Sequence, residues 1–227
     1  MHVKDCKMQG TTLLIYEGEG GNIVIPDGVT EIGGYAFADC QSLTGICLPD
    51  SVTKIGSMAF FACENLTSFR IPSHAEIGND AFFGCWGLKR RPMMFADGKL
   101  LYMPENSFLP SYHEVRKLVL EKDYTVRLDV DIKYDLTAQI FLLDLDPEGS
   151  AVYLRKNFSH IFKYLIFWNR MAEIRKIVES GKFLSKRNLD IYIKYAIKKQ
   201  RHEIYLLLTE LKQKNNWYRE IDQKLKL

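Results

Sequence analysis

The chain has 227 residues, 47% of them hydrophobic and 12% aromatic, with a formal net charge of +3. That length and apolar content can close one large core or two smaller ones and exclude an intrinsically disordered chain. Cut at residue 154, the charge separates: 13 Lys+Arg against 21 Asp+Glu before the cut, a net −8, and 18 against 7 after it, a net +11. A step of this size suggests two domains with different surfaces, and it gives the basic half either an acidic partner or the acidic half itself to dock on.

The opening "MHVKDCKMQG" carries no apolar leader, and the apolar run "YLIFW" at 164–168 is too short to cross a bilayer. The stretch as given reads as a cytoplasmic protein that does not insert into membranes. With a leader or anchor elsewhere it would be secreted or held at the cell surface. Five cysteines without a C-x-x-C pair fit neither a disulfide scaffold nor a four-thiolate zinc site. The segment "TTLLIYEGEGGNIVIP", 11–26, predicts a hairpin-like cap whose glycine-rich turn leads into a first strand at Ile23 to Ile25.

Next comes a repetition: "IGGYAFADCQSLTGICLP" at 32–49 returns as "IGSMAFFACENLTSFRIP" at 55–72, a step of 23 residues. Pro26, Pro49 and Pro72 mark equal steps, preceded by Ile25, Leu48 and Ile71 and followed by Ile32, Ile55 and Ile77. Ala36-Phe37, Ala59-Phe60 and Ala81-Phe82 come next, then Cys40, Cys63 and Cys85, then Leu43, Leu66 and Leu88. An apolar residue at every station of each unit means that each coil covers the hydrophobic face of the next. Ile46 and Leu48 alternate as in a short strand, "VTKIG" supplies a second extended piece, and Ala-Phe-x-x-Cys spans about one helical turn with Phe and Cys inward. Stacked strands about 4.8 Å apart would allow disulfides between the repeat cysteines by distance. Their side chains point the same way, however, and the expectation is a ladder of buried thiols.

The pattern I-G-x-x-A-F-x-x-C-x-x-L-x-x-I-x-I-P over residues 10–91 resembles the BspA-type leucine-rich repeats. The resemblance implies a right-handed leucine-rich solenoid and, in many members, adhesion or protein recognition at a surface. Three units are countable here, and the third decays, with Arg91 where Ile46 and Phe69 stand in the first two.

From "ADGKLLYMPENSFLP" the repeat grammar stops, and 103–112 reads as a junction. Helices are predicted at "YHEVRKLVLEK", at "DIKYDLTAQIFLL", and then almost continuously: "SAVYLRKNF", "SHIFKYLIFW", "MAEIRKIVESG" stopped by Gly181, "KRNLDIYIKYAIKKQ" and "HEIYLLLTELKQK". Ile174, Ile177 and Val178 recur as Ile204, Leu207 and Leu208 at a step of 30, and residues 158–214 resemble the helix pairs of ankyrin repeats, without the T-P-L-H core of that signature. The expected fold is therefore α+β: a short leucine-rich-repeat solenoid with its cap over 1–102, and an all-α domain of ankyrin-like helix pairs over 103–227.

Several motifs fail on their own chemistry. "DLDPEG" at 144–149 imitates an EF-hand start but has Arg155 at the twelfth position, where a bidentate Glu is needed. "GEGG" at 18–21 lacks the third glycine and helix of a dinucleotide site and reads as a turn. His2, His74, His113, His160 and His202 are scattered, and the sequons at Asn65 and Asn157 read as chance. No cofactor, metal or catalytic constellation is expected, and an enzyme is the least favoured class. Two functions compete. In the first, a protein ligand binds the solenoid, where Val24, Cys47 and Arg70 should align outward across the coils beside Thr44 and Thr67, a surface that could equally be plain solvated strand. In the second, nucleic acid or another polyanion binds the basic cluster Lys186, Arg187, Lys194, Lys198, Lys199 and Arg201, interleaved with Tyr192 and Tyr195. The competing reading of that cluster is a solvated lysine face with its tyrosines packed inward.

Overall fold

The repeated stations of the N-terminal half fix two parallel ladders. The structure is a computed structural model that describes residues 5–103 and 112–217. His2 and most of the junction at 103–112 lie outside the described residues. The chain divides into two compact units, Met1–Tyr112 and His113–Leu227.

In the first unit, strands β3 (Gly21–Val24), β5 (Leu43–Cys47) and β7 (Ser68–Arg70) pair in parallel in the order β3-β5-β7. A second sheet runs β1 (Cys6–Gln9), β2 (Thr12–Tyr16), β4 (Glu31–Ile32), β6 (Lys54–Ile55) and β8 (Glu76–Ile77). Leu13, Ile32, Ile55 and Ile77 fall in register along it, each at most 1% exposed. Their outward neighbours Glu31, Lys54 and Glu76 also align, with Lys54 Nζ 2.7 Å from Glu31 Oε1. Lys54 has its pKa raised, first by the hydrogen bond to Glu31.

The Ala-Phe-x-x-Cys stretch is not a helical turn. It is a chain of tight turns, Ala36 N to Gly33 O, Ala38 N to Tyr35 O and Cys40 N to Phe37 O, broken by positive φ at Tyr35 and Asp39. Its remaining amides reach the next coil instead: Tyr35 N to Ser57 O, Phe37 N to Ala59 O and Asp39 N to Phe61 O. Coils therefore touch backbone to backbone, which explains the glycine of the repeated Ile-Gly. A Cβ on Gly56 would lie 2.4 Å from Gly34 N and 2.7 Å from Gly33 C. Gly56→Ala should destabilise this unit by roughly 1–3 kcal/mol or more, because rigid backbone must move. Faster hydrogen exchange of the β4, β6 and β8 amides is the readout, and unchanged protection would contradict the reading.

The core is a stack of rings: Tyr16 on Phe37 (4.9 Å between centroids), Phe37 on Phe60 (5.0 Å) and Phe60 on Phe82 (4.9 Å). All five cysteines are free. Cys63 and Cys85 are fully buried, and their thiols donate to Phe37 O (3.0 Å) and Phe60 O (3.1 Å) in the coil before. The neighbouring Cys85 thiol, with burial second, pushes the Cys63 thiol well above its ordinary range. Cys40 is only half buried.

Both ends differ from expectation. The cap hairpin is not 11–26: β2 pairs antiparallel with the preceding β1, and β2 and β3 already form a first atypical coil in which Tyr16 takes the ring position. At the other end, β9 (Pro92–Ala96) and β10 (Lys99–Tyr102) form an antiparallel hairpin across Asp97-Gly98, both with positive φ. An Asp-Gly pair flanked by apolar residues is the turn that a two-residue hairpin needs.

The second unit contains six helices among its described residues: α1 (Tyr112–Leu120), which starts on the last residue of the first unit, α2 (Val130–Leu142), α3 (Pro147–Phe167), α4 (Met171–Ser180), α5 (Lys186–Lys198) and α6 (His202–Lys214). Two segments read separately at 150–158 and 159–168 fuse into α3, with Trp168 as its C-cap and an irregularity at Asn157 (φ −112°, ψ 15°). Gly181 stops α4 in the left-handed region at φ 65°, as expected. Phe158, Phe162 and Tyr192 interlock, with 4.8 Å between the Phe162 and Tyr192 centroids. Ile174, Ile177, Ile204 and Leu208 are buried and Val178 and Leu207 partly so, which accounts for their echo. The charge step at 154 falls inside α3. Divided by compact units, residues 1–112 carry 8 Lys+Arg against 12 Asp+Glu and residues 113–227 carry 23 against 16. The contrast is thus −4 against +7, because the acidic stretch around α1 and α2 belongs to the helical unit.

Candidate binding surfaces

Parallel register puts Val24 beside Cys47 and Cys47 beside Arg70. Val24 is 64% exposed and Cys47 half buried, while Arg70 lies back across the strip, its Nη1 3.9 Å from Cys47 Sγ and its Nη2 3.3 Å from Asp50 Oδ1. Thr44 and Thr67 are exposed beside this row. The Thr67 amide and hydroxyl both donate to Thr44 O, at 2.9 and 3.1 Å, so the Thr67 hydroxyl is engaged in the ladder.

A second row on the same sheet was not singled out from the sequence: Asn22, Gly45 and Ser68. A Cβ on Gly45 would meet Asn22 Oδ1 at 2.0 Å and Ser68 Oγ at 2.7 Å, so glycine lets the two polar side chains close over the middle strand. A lone Gly inside a strand pattern is the signal that marks such a close approach. Also unflagged is an aromatic group on the turns after the buried rings, where Phe61 stacks on Phe83 (5.8 Å), Phe83 meets the edge of Trp86 (6.2 Å), and the Arg91 guanidinium lies over Trp86 (5.1 Å). Trp86 is 63% exposed.

In the helical unit, the six basic residues separate into two sets. Lys186, Arg187, Lys194 and Lys198 are exposed on α5. Lys199 and Arg201 turn toward the end of α3: the Lys199 ammonium sits over the Phe167 ring (4.7 Å) and the Tyr195 ring (5.7 Å), and Arg201 Nη2 donates to Phe167 O (2.6 Å). Tyr192 is buried in the ring cluster and Tyr195 is partly buried. Asp190, on the same helix, is paired with Lys212 at 2.8 Å.

The failed motifs have structural uses. Asp146 caps α3, accepting from Gly149 N (3.1 Å), from the Tyr124 hydroxyl (2.9 Å), and through its carbonyl from the Ser150 hydroxyl. "GEGG" is a bend that leads into β3, with positive φ at Gly20 and at Gly21, the first residue of that strand. The Asn65 amide donates to Gln41 O (2.8 Å), a rung between coils, and Asn157 donates to Tyr153 O (3.1 Å). Among the described residues, no group of three or more His, Cys, Asp or Glu is placed to hold a metal ion. No helix among them is long and apolar enough to cross a membrane.

Compared with known families, residues 16–125 match the one described as "BspA type Leucine rich repeat region (6 copies)". Among solved structures, a Leucine Rich Repeat protein of T. pallidum shares 32% identity over 39% of this chain and 47% of its own, with a TM-score of 0.37. A leucine rich cell surface protein of Faecalibacterium prausnitzii A2-165 shares 30% identity over 39% of this chain and 26% of its own, with a TM-score of 0.32. The aligned part of each thus spans less than half of that protein's length. No curated protein matches the chain.

Proposed function

We propose that this chain is a non-enzymatic protein-interaction module in which a short right-handed leucine-rich solenoid holds a protein partner on the outward face of β3, β5 and β7, joined to ankyrin-like helix pairs. The observation that carries this reading is the in-register row of Val24, Cys47 and Arg70. It combines an exposed aliphatic side chain, a small polarizable thiol and an arginine, the last being a residue type enriched at binding hot spots. Next to this row, Asn22 and Ser68 close over Gly45 and add polar groups to the same face. Three strands about 4.8 Å apart span a narrow patch, which suits one segment of a partner better than a broad interface. Asp146 is occupied as a helix cap, and the Cys63 and Cys85 thiols are occupied as donors between coils.

Partner capture with the wild-type chain and with a Val24→Asp, Arg70→Glu variant tests the assignment. Both side chains are exposed, so the fold should be unchanged while binding weakens at least about tenfold, equivalent to ~1.4 kcal/mol. A partner captured equally well by both chains would place its site elsewhere.

A further inference from the structure

The outer face of α5 carries a binding pattern separate from the sheet. At about 100° per residue, Arg187, Ile191, Lys194 and Lys198 stand at i, i+4, i+7 and i+11 and form one stripe, and all four are exposed. Ile191 is 54% exposed in its middle. Beside the stripe, Ile197 is 57% exposed and opens onto a groove of about 560 Å³ between the end of α5 and the start of α6, lined by Ala196, Ile197, Gln200, Arg201, His202 and Tyr205. The i, i+4, i+7 spacing is the one through which a helix lies against another helix. Asp190, the acidic residue of α5, is held by Lys212, so the stripe itself presents positive charge around an aliphatic centre.

We propose that this face docks an amphipathic helix of a partner protein, with carboxylates at helical spacing to meet Arg187, Lys194 and Lys198 and large apolar side chains to cover Ile191 and Ile197. Charge complementarity selects the acidic residues, and the two half-exposed isoleucines select the apolar anchor. Nucleic acid fits the same charges less well. Of the aromatic groups near these charges, Tyr192 is 3% exposed against Phe158 and Phe162 and Tyr195 and Tyr205 are half-buried, and isoleucines gain nothing from a phosphate backbone. The site lies in a different unit from the sheet face, so the two readings can fail independently.

The test is selection of a displayed library of randomised helical peptides against the full chain, followed by affinities for wild type, Ile191→Ser, Lys194→Glu and Arg70→Glu, with the helix content of each variant checked by circular dichroism. Enriched peptides should combine Glu or Asp with Leu, Phe or Met at helical spacing. They should bind Ile191→Ser and Lys194→Glu about tenfold or more weakly, and Arg70→Glu as well as wild type. The proposal is overturned if no peptide is enriched or if enriched peptides ignore the α5 substitutions. It is equally overturned if the substitutions instead abolish binding of a mixed-sequence oligonucleotide, or break a self-association seen by sedimentation.

Discussion

Replacing Arg170 by leucine is expected to lower the stability of the helical unit by about 3–5 kcal/mol. Arg170 precedes α4 and is 6% exposed, and it holds two carboxylates that are buried as deeply, Asp135 of α2 (0%) and Glu173 of α4 (2%). Its Nη1 lies 2.7 and 2.9 Å from the two Asp135 oxygens, and its Nη2 lies 2.5 Å from Glu173 Oε1. Burial pulls the guanidinium toward deprotonation, yet the two acids more than offset it and its pKa is raised. Without the guanidinium, both carboxylates would lose their main counter-charge away from water, which is far costlier than losing an exposed ion pair. Urea unfolding followed by the far-ultraviolet helix signal reads this unit selectively, because all six helices belong to it apart from the first residue of α1. A midpoint shift equivalent to less than about 1 kcal/mol would show that the network is relieved by water or by rearrangement. A concerted change of Arg170, Asp135 and Glu173 to apolar residues of similar volume should recover most of the loss, since the cost lies in orphaned charge rather than in the absence of ions.

This network also shows where reading a sequence stops. Arg170 and Asp135 are 35 residues apart on different elements, and no periodicity links them. The same holds for Arg201, whose bond to Phe167 O spans 34 residues and takes it out of the exposed basic set that a count of charges assigned it to. The repeat was legible for the opposite reason. Each coil repeats the same stations, so one error in Ile32, Phe37 or Leu43 is corrected by its equivalents, and the register of Val24, Cys47 and Arg70 followed directly. The ends were harder because caps do not repeat: Tyr16 fills a ring position from an unmatched sequence, and β1 is defined only by its pairing with β2. The β9–β10 turn carried a local Asp-Gly signal, but the break in the repeat grammar masked it. Trp86 was invisible as a surface feature because aromatic residues are ordinarily read as core, and only the turn geometry after Phe82 shows it outside.

The second large effect concerns the ring stack. Phe60→Ala should cost the repeat unit about 3–5 kcal/mol, the range for emptying a fully buried aromatic site. Phe60 is 0% exposed and is stacked on both sides, by Phe37 at 5.0 Å and Phe82 at 4.9 Å. Its neighbour Phe61 points outward to Phe83 and is only partly buried, so Phe61→Ala should cost less than about 1 kcal/mol. The contrast between adjacent residues of one type separates position in the coil from composition. Because each coil contacts only its neighbours, a cavity at the middle ring should uncouple the coils on either side as well as weaken one. Hydrogen exchange then has a specific expected form: protection falls in β4, β6 and β8 together in Phe60→Ala and in none of them in Phe61→Ala. Loss confined to β6 would mean that the coils are stabilised individually, and the sheet face of Val24, Cys47 and Arg70 would then no longer depend on the stack beneath it.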